Sequence, residues 1–289
     1  MMTTGTARAV TILALLAGAA IPAIDAAAPS HVLVVCSPGS PGTTAQAQPT
    51  MDLFARAVEA AAKRPAESLA AVYYESAETG IPRLTQEDAV LAMVPLPFLI
   101  QYGAKLGLEP RLEAQPEPAA TEVWFLAARK GAVSSAAALT GWEVTGAPGY
   151  SPDFVRRTIL SDWGALPDDV RITFTPRVLA ALRRAASGEK VAVILDRSQE
   201  AALASLPFAA DLEVLAHSRP LPSGYLCAVG KRLGAADLDA YTQALLKLHE
   251  NASGQAVLKE MRMHRFVPVD LKSLDAIRAR TAGASGAGR

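Results

Sequence analysis

The side chains that could carry chemistry are few, and their spacing argues against catalysis. The 289-residue chain holds four histidines, His31, His217, His249 and His264, and two cysteines, Cys36 and Cys227. No two histidines form an HxxxH pair and neither cysteine belongs to a CxxC, so the spacings that hold zinc are missing. In GYSPD the residues around Ser151 approach a nucleophile elbow, but Asp153 stands where the second glycine is required. No phosphate-binding P-loop or dinucleotide glycine pattern occurs. The expectation is a protein without catalysis, metal or cofactor.

A different chemistry, capture without reaction, fits several turns. In VPLPF, residues 94–98, two prolines end an apolar strand within three residues of one another. If Pro97 opens the following helix, Leu96 is its N-cap and offers no oxygen to the first amides. Free amides at a helix start favour an anion, with Leu96 and Phe98 as the wall of the pocket. The alternative is a water-capped helix whose Leu96 and Phe98 pack inward. In TGAPGYSPDF, residues 145–154, Ser151 can cap a helix, Gly149 permits a close backbone approach, and Tyr150 can stack on or hydrogen-bond a ligand. Asp153 in the same turn opposes an anion.

Asp196 ends VAVILD and can serve as an N-cap paired with Gln199 in a capping box, while the family resemblance named below implies a second reading, a contact to a cationic ligand group. Ser37 and Gly39 are candidates by their place after the first strand. Tyr73, Tyr74 and Glu75 close the second strand; one tyrosine is expected in the cleft, with Tyr74 the candidate, and because side chains alternate the other is expected to face away. No lysine or arginine lies in the loops 36–44, 95–98 and 146–153 or at 196. These signals predict a small oxyanionic or zwitterionic ligand, with a zwitterion preferred over inorganic phosphate: its acid at the helix starts, its amine near Asp196.

The elements that must position these turns alternate along the chain. Strands are expected at 31–36, 69–74, 89–94 and 122–128, with helices at 50–63 and 98–106. The alternation restarts with strands at 141–145, 170–174, 191–195, 212–216 and 225–229 and helices at 151–160, 178–186 and 198–206. Helical patterns at 235–250 and 254–264 follow. Strands alternating with helices imply α/β architecture with mixed, mainly parallel sheets flanked by helices. Two such sets imply two lobes joined by crossing strands near 127–132 and 214–220. Lobe one then comprises 29–129 plus 217–280, lobe two 130–216, and 281–289 is a disordered tail.

Composition agrees with a folded, non-nucleic-acid-binding protein. Hydrophobic residues make up 51% and charged residues 19%, which supports a sizeable core. Basic and acidic residues number 28 each, so there is no basic footprint for nucleic acid. Arg8 followed by the apolar run from Val10 to Ala20 and small residues before 29 reads as a signal peptide over 1–28. Ala19 occupies the position a lipidated cysteine would need, so a soluble periplasmic product without a lipid anchor or membrane span is expected. Cys36 and Cys227 are expected as two buried free thiols, with a bridge left open by the oxidising compartment.

Three stretches carry a family resemblance: LTQEDAVLAMVPLPFLIQYGAKLGL, LAARKGAVSSAAALTGWEV and NASGQAVLKEMRMHRFVPVD. With them the chain resembles, over most of 30–275, the phosphate/phosphite/phosphonate (PhnD-like) periplasmic substrate-binding proteins, a branch of the type 2 periplasmic-binding-protein fold. The resemblance implies a monomeric two-lobed clamp that captures a small molecule and delivers it to the permease of an ABC transporter. The rival readings are a binding protein that serves a sensor or other protein partner, and an exported enzyme on the same fold.

Overall fold

The computed structural model describes residues 31–283. The signal peptide expected over 1–28 and the tail from 284 onward lie outside the described residues. The chain lays down β1 (His31–Cys36), α1 (Thr44–Ala62), β2 (Leu69–Tyr74), α2 (Ala77–Leu84), β3 (Ala89–Pro95), α3 (Leu96–Leu106) and β4 (Leu108–Pro116). It then crosses to β5 (Phe125–Arg129), β6 (Glu143–Gly146), α4 (Pro152–Phe154), a π-helical turn over Val155–Ile159, β7 (Arg171–Phe174), α5 (Val178–Ala186), β8 (Val191–Leu195), α6 (Arg197–Leu203) and β9 (Leu212–His217). It returns through β10 (Gly224–Val229), α7 (Ala235–Leu246), α8 (Ala252–Glu260), β11 (Met263–Pro268) and α9 (Leu271–Thr281).

Two mixed sheets result. One has six strands in the order β11-β4-β10-β3-β1-β2, the other five in the order β7-β6-β8-β5-β9. The strands at the heart of each sheet are covered on both faces, which is why HVLVVC and VAVIL carry unbroken apolar runs. β1 runs parallel to β2 and β3, and β6 runs parallel to β7 and β8. The returning β10 is antiparallel to β3 and β4, and β5 is antiparallel to β8 and β9. The sheets are therefore more evenly mixed than the mainly parallel arrangement expected.

Several boundaries move. β5 belongs to the second sheet, so the first crossing lies before 125 rather than at 127–132. An isolated antiparallel bridge between Glu122 and Leu221 ties the two crossing segments together. α1 begins at Thr44, not at 50, and keeps Pro49 inside it. Its start is secured by a capping box between Thr43 and Gln46. β4, β11, α2 and α9 were not foreseen. α9 extends to a buried Thr281, whose hydroxyl lies 2.8 Å from that of Thr158, so the expected tail begins later than 281. Cys36 and Cys227 are free and buried. β3 lies between their strands, which sets them about two strand spacings apart, roughly 9–10 Å, beyond a disulfide's reach of about 7 Å.

The two sheets share a core. Phe98 of α3, Phe154 and Ile159 around the π turn, and Leu274 and Ile277 of α9 belong to one continuous buried cluster. That shared packing holds the strand ends of both sheets against each other, and the candidate site lies between them.

Candidate functional site

The carboxyl ends of β1, β3, β6 and β8 converge on a cavity of about 110 Å³, the place where ligands sit in open α/β sheets. The loop after β1 contributes Ser37, Pro38, Gly39, Ser40 and Pro41, and the β3–α3 junction contributes Pro95 and Pro97. Ala147, Pro148 and Tyr150 come from the turn after β6, Asp196 and Gln199 from the start of α6, and Trp124 from the crossing segment. Asp196 is the only charged side chain in this lining.

Five of the ten residues singled out from sequence thus meet here: Ser37, Gly39, Pro97, Tyr150 and Asp196. Gly149, directly before Tyr150, is buried behind the wall. A β-carbon there would collide with the Thr173 carbonyl, so its role is close backbone packing. Leu96 and Phe98 are corrections: both are buried in the core rather than in the cavity wall. The reason is a shift of one residue in the cap. Pro95, not Leu96, is the N-cap of α3, so Leu96 and Pro97 are its first two residues and the apolar pair turns inward. Tyr74 packs against the core outside the cavity, while Tyr73 donates to the Ser40 carbonyl at 3.4 Å and steadies the loop from behind. Ser151 caps nothing. Its hydroxyl is buried and donates at 3.2 Å to the Gln101 side chain of α3, across the two sheets.

The helix starts around the cavity are already occupied by protein groups. At α3 the N-cap Pro95 and the second residue Pro97 have no N–H, and Leu96 donates to the Ser223 carbonyl at 3.0 Å. Of the first-turn positions that a helix leaves unpaired, only Phe98 retains an amide to offer. At α1 the Thr44 amide and hydroxyl both donate to Glu75, and the amides of Thr43 and Gln46 are used in the capping box. At α6 the Gln199 amide donates to Asp196 Oδ1 at 2.8 Å, the Asp196 amide to Gln199 Oε1 at 3.1 Å, and the Arg197 amide to Glu122 at 3.0 Å. The loop after β1 is equally spent: Ser37, Gly39 and Ser40 donate to the carbonyls of Tyr74, Glu75 and Ser37. Among the described residues each of these helix starts therefore keeps one first-turn amide without a partner, those of Ala45, Phe98 and Ser198, fewer than the array expected for an anion.

What faces the cavity instead is one carboxylate, a few hydroxyls and aromatic surface. Asp196 Oδ2 has no hydrogen-bond partner among the described residues, so the capping and ligand-facing readings of Asp196 are compatible, one oxygen serving each. Glu122, behind Asp196, has its carboxyl raised above the usual range by burial, an effect that the Arg197 amide partly offsets and the Asp196 charge reinforces. The hydroxyls of Ser37 and Ser40 are 2.8 Å apart. Tyr150 stacks on Tyr102 with ring centres 6.2 Å apart and meets Phe174 edge-on at 5.9 Å. Its hydroxyl is buried without a partner among the described residues. Burial lifts its pKa well above the ordinary 10.0, so it stays a neutral donor.

Sequence reasoning missed Trp124 and Gln199. Trp124 carried a usable signal, since a lone tryptophan next to a lobe crossing is placed to reach the cleft. Its amide and carbonyl are pinned to Ser218, on the other crossing segment, at 2.9 and 2.8 Å.

Two sheets with strand ends facing one cavity, joined by paired crossing segments, define a two-lobed solute-binding protein. The chain belongs to the family of phosphonate ABC transporter periplasmic substrate-binding proteins, whose sequence pattern matches residues 36–274. It thus functions as a periplasmic binding component that captures a small solute for ABC import. No curated protein matches the sequence. Among solved structures, a Xanthomonas citri protein bound to chloride is similar at a TM-score of 0.68 and 13% identity, over 87% of this chain and 98% of that one. A binding component of a phosphonate transporter from Pseudomonas aeruginosa aligns at 0.62 and 14% identity, over 89% and 90% of the two chains. PhnD1 of Prochlorococcus marinus, in complex with methylphosphonate, aligns at 0.60 and 16% identity, over 88% and 99%. These likenesses establish the type 2 periplasmic-binding-protein fold. Among the described residues no helix is long and apolar enough to cross a membrane.

Proposed function

We propose that the protein captures a small zwitterion of the aminophosphonate class and, as a soluble periplasmic monomer without catalytic activity, hands it to an ABC permease. The observation that carries this reading is the charge of the cavity: Asp196 is the single charged group of its lining, and most of the first-turn amides that would hold a bare dianion are already taken by protein groups. A dianion there would meet one like charge and few free amides, whereas an ammonium group gains a charge-assisted hydrogen bond, worth about 1.5–3 kcal/mol. Trp124 and Tyr150 add aromatic surface on which a cation is favoured. The acid half of the ligand then takes the hydroxyls of Ser37, Ser40 and Tyr150.

A thermal-shift panel tests this. A ligand present at about 100 times its dissociation constant stabilises the folded state by roughly 2.7 kcal/mol. Aminomethylphosphonate is expected to raise the melting temperature, with methylphosphonate weaker and inorganic phosphate without effect. Stabilisation by phosphate equal to that by the amine-bearing compound would reject the reading.

A further inference from the structure

Beside the Asp196 chamber lies a second recess of about 190 Å³ whose lining differs in kind. It runs over the ends of β3, β10 and β4 to the α8–β11 junction, and Ser37 and Pro95 line both spaces. The two are thus neighbours across a single crest of residues at the carboxyl ends of β1 and β3. Three methionines, Met93, Met261 and Met263, line this recess together with Val35, Val94 and Ala114, and Arg262 is the one charged residue of the lining. Together with Met51 they are all the methionines of the described residues, and all four gather in one apolar cluster.

The backbone at the α8–β11 junction shows how two of them reach the same recess. Arg262, between Met261 and Met263, holds φ at 54°, the left-handed region that a bulky side chain rarely adopts. This reversal ends α8 and starts β11 within two residues, so the side chains on either side of it both border the recess. Backbone strain of this kind persists where the surroundings over-determine it. Here the Arg262 carbonyl is held by the Glu117 amide at 2.9 Å.

We propose that this methionine-lined recess receives an apolar substituent of the ligand whose charged head occupies the Asp196 chamber, so that the protein selects α-substituted aminophosphonates over the bare head group. The inference rests on the zwitterion reading above. Unbranched thioether side chains repack around guests of different shape, which makes such a surface tolerant of chain length rather than selective for one chain. The head is then recognised by charge and the tail by burial.

Calorimetry with α-aminoalkylphosphonates carrying alkyl chains from methyl to hexyl, beside aminomethylphosphonate itself, tests the proposal. Burying one methylene is worth about 0.8 kcal/mol, so affinity is expected to rise roughly fourfold per carbon until the recess is full, then level off. Met261→Gln, at a half-exposed helix end, is expected to flatten that rise. Affinity that stays constant or falls with chain length, while aminomethylphosphonate still binds, overturns the proposal and leaves the zwitterion reading intact. Failure of the whole series to bind overturns both.

Discussion

Tyr150 states the logic of the site at the scale of one residue. A buried hydroxyl without a partner costs about 1–3 kcal/mol, and the protein retains one at the wall of its cavity. Tyr150→Phe is therefore expected to leave the unliganded protein as stable or about 1 kcal/mol more stable, and to weaken ligand binding roughly five- to tenfold, as one hydrogen bond of about 1–1.5 kcal/mol is lost. Chemical denaturation and calorimetry on the same variant separate the two effects. A loss of unliganded stability would mean that the hydroxyl already has a structural partner. Ser37, Gly39, Pro97, Tyr150 and Asp196 were legible because each sits in a strand-to-helix turn, and topology alone sends such turns to the cleft. Leu96 and Phe98 were not. Placing the α3 cap one residue too late turns every side chain of its first turn by about 100°, which exchanges wall for core.

At the scale of elements, the loop after β1 is one of the parts of the first lobe that touch the other lobe. Gly39 has φ of 85°, and a β-carbon built on it would stand 2.9 Å from the Ala147 β-carbon. Gly39→Ala should combine backbone strain with a steric block to the approach of the lobes. The expected outcome is roughly tenfold weaker binding, and less compaction on adding ligand in small-angle scattering than the wild type shows. Normal compaction and affinity would mean that the loop moves freely aside. The central strands could be read to within a residue because burial on both faces demands unbroken apolar runs. β4 and β11 could not. In LEPRLEAQP only Leu108, Leu112 and Ala114 are buried among charges and prolines, and β11 is cut from the preceding helix by a left-handed Arg262, where a glycine would have announced the turn.

At the scale of the whole molecule, the described residues form two sheets that share a buried cluster and are joined by crossing segments that meet at Glu122 and Leu221. Trp124 lies in one of these segments and also forms part of the cavity wall, so a ligand there touches the connection between the sheets directly. Burial sets the molecule's pH limit. It pushes Cys36 from 9.0 up to about 12 and Tyr73 from 10.0 up to about 12, and it raises Tyr150, Tyr225 and Cys227 as well. Each of these groups is buried in its protonated form. The unfolded chain loses these protons first, so stability is full below about pH 9 and falls as pH rises from there through about 12. Melting temperatures across that window should decline, and Cys36→Ala should make the decline shallower. A flat profile to pH 11 would contradict the burial of these groups.

The most direct test of the central claim, that one carboxylate reads the positive end of the ligand, is calorimetry on the wild type and Asp196→Asn with aminomethylphosphonate and methylphosphonate. Asparagine caps a helix as well as aspartate does, so the fold and the start of α6 are preserved while the charge is removed. The account predicts that the substitution weakens aminomethylphosphonate by roughly ten- to a hundredfold, the 1.5–3 kcal/mol of a charge-assisted hydrogen bond, and leaves methylphosphonate unchanged or tighter. Equal affinity of both proteins for aminomethylphosphonate would contradict it, and would leave Asp196 as a helix cap alone.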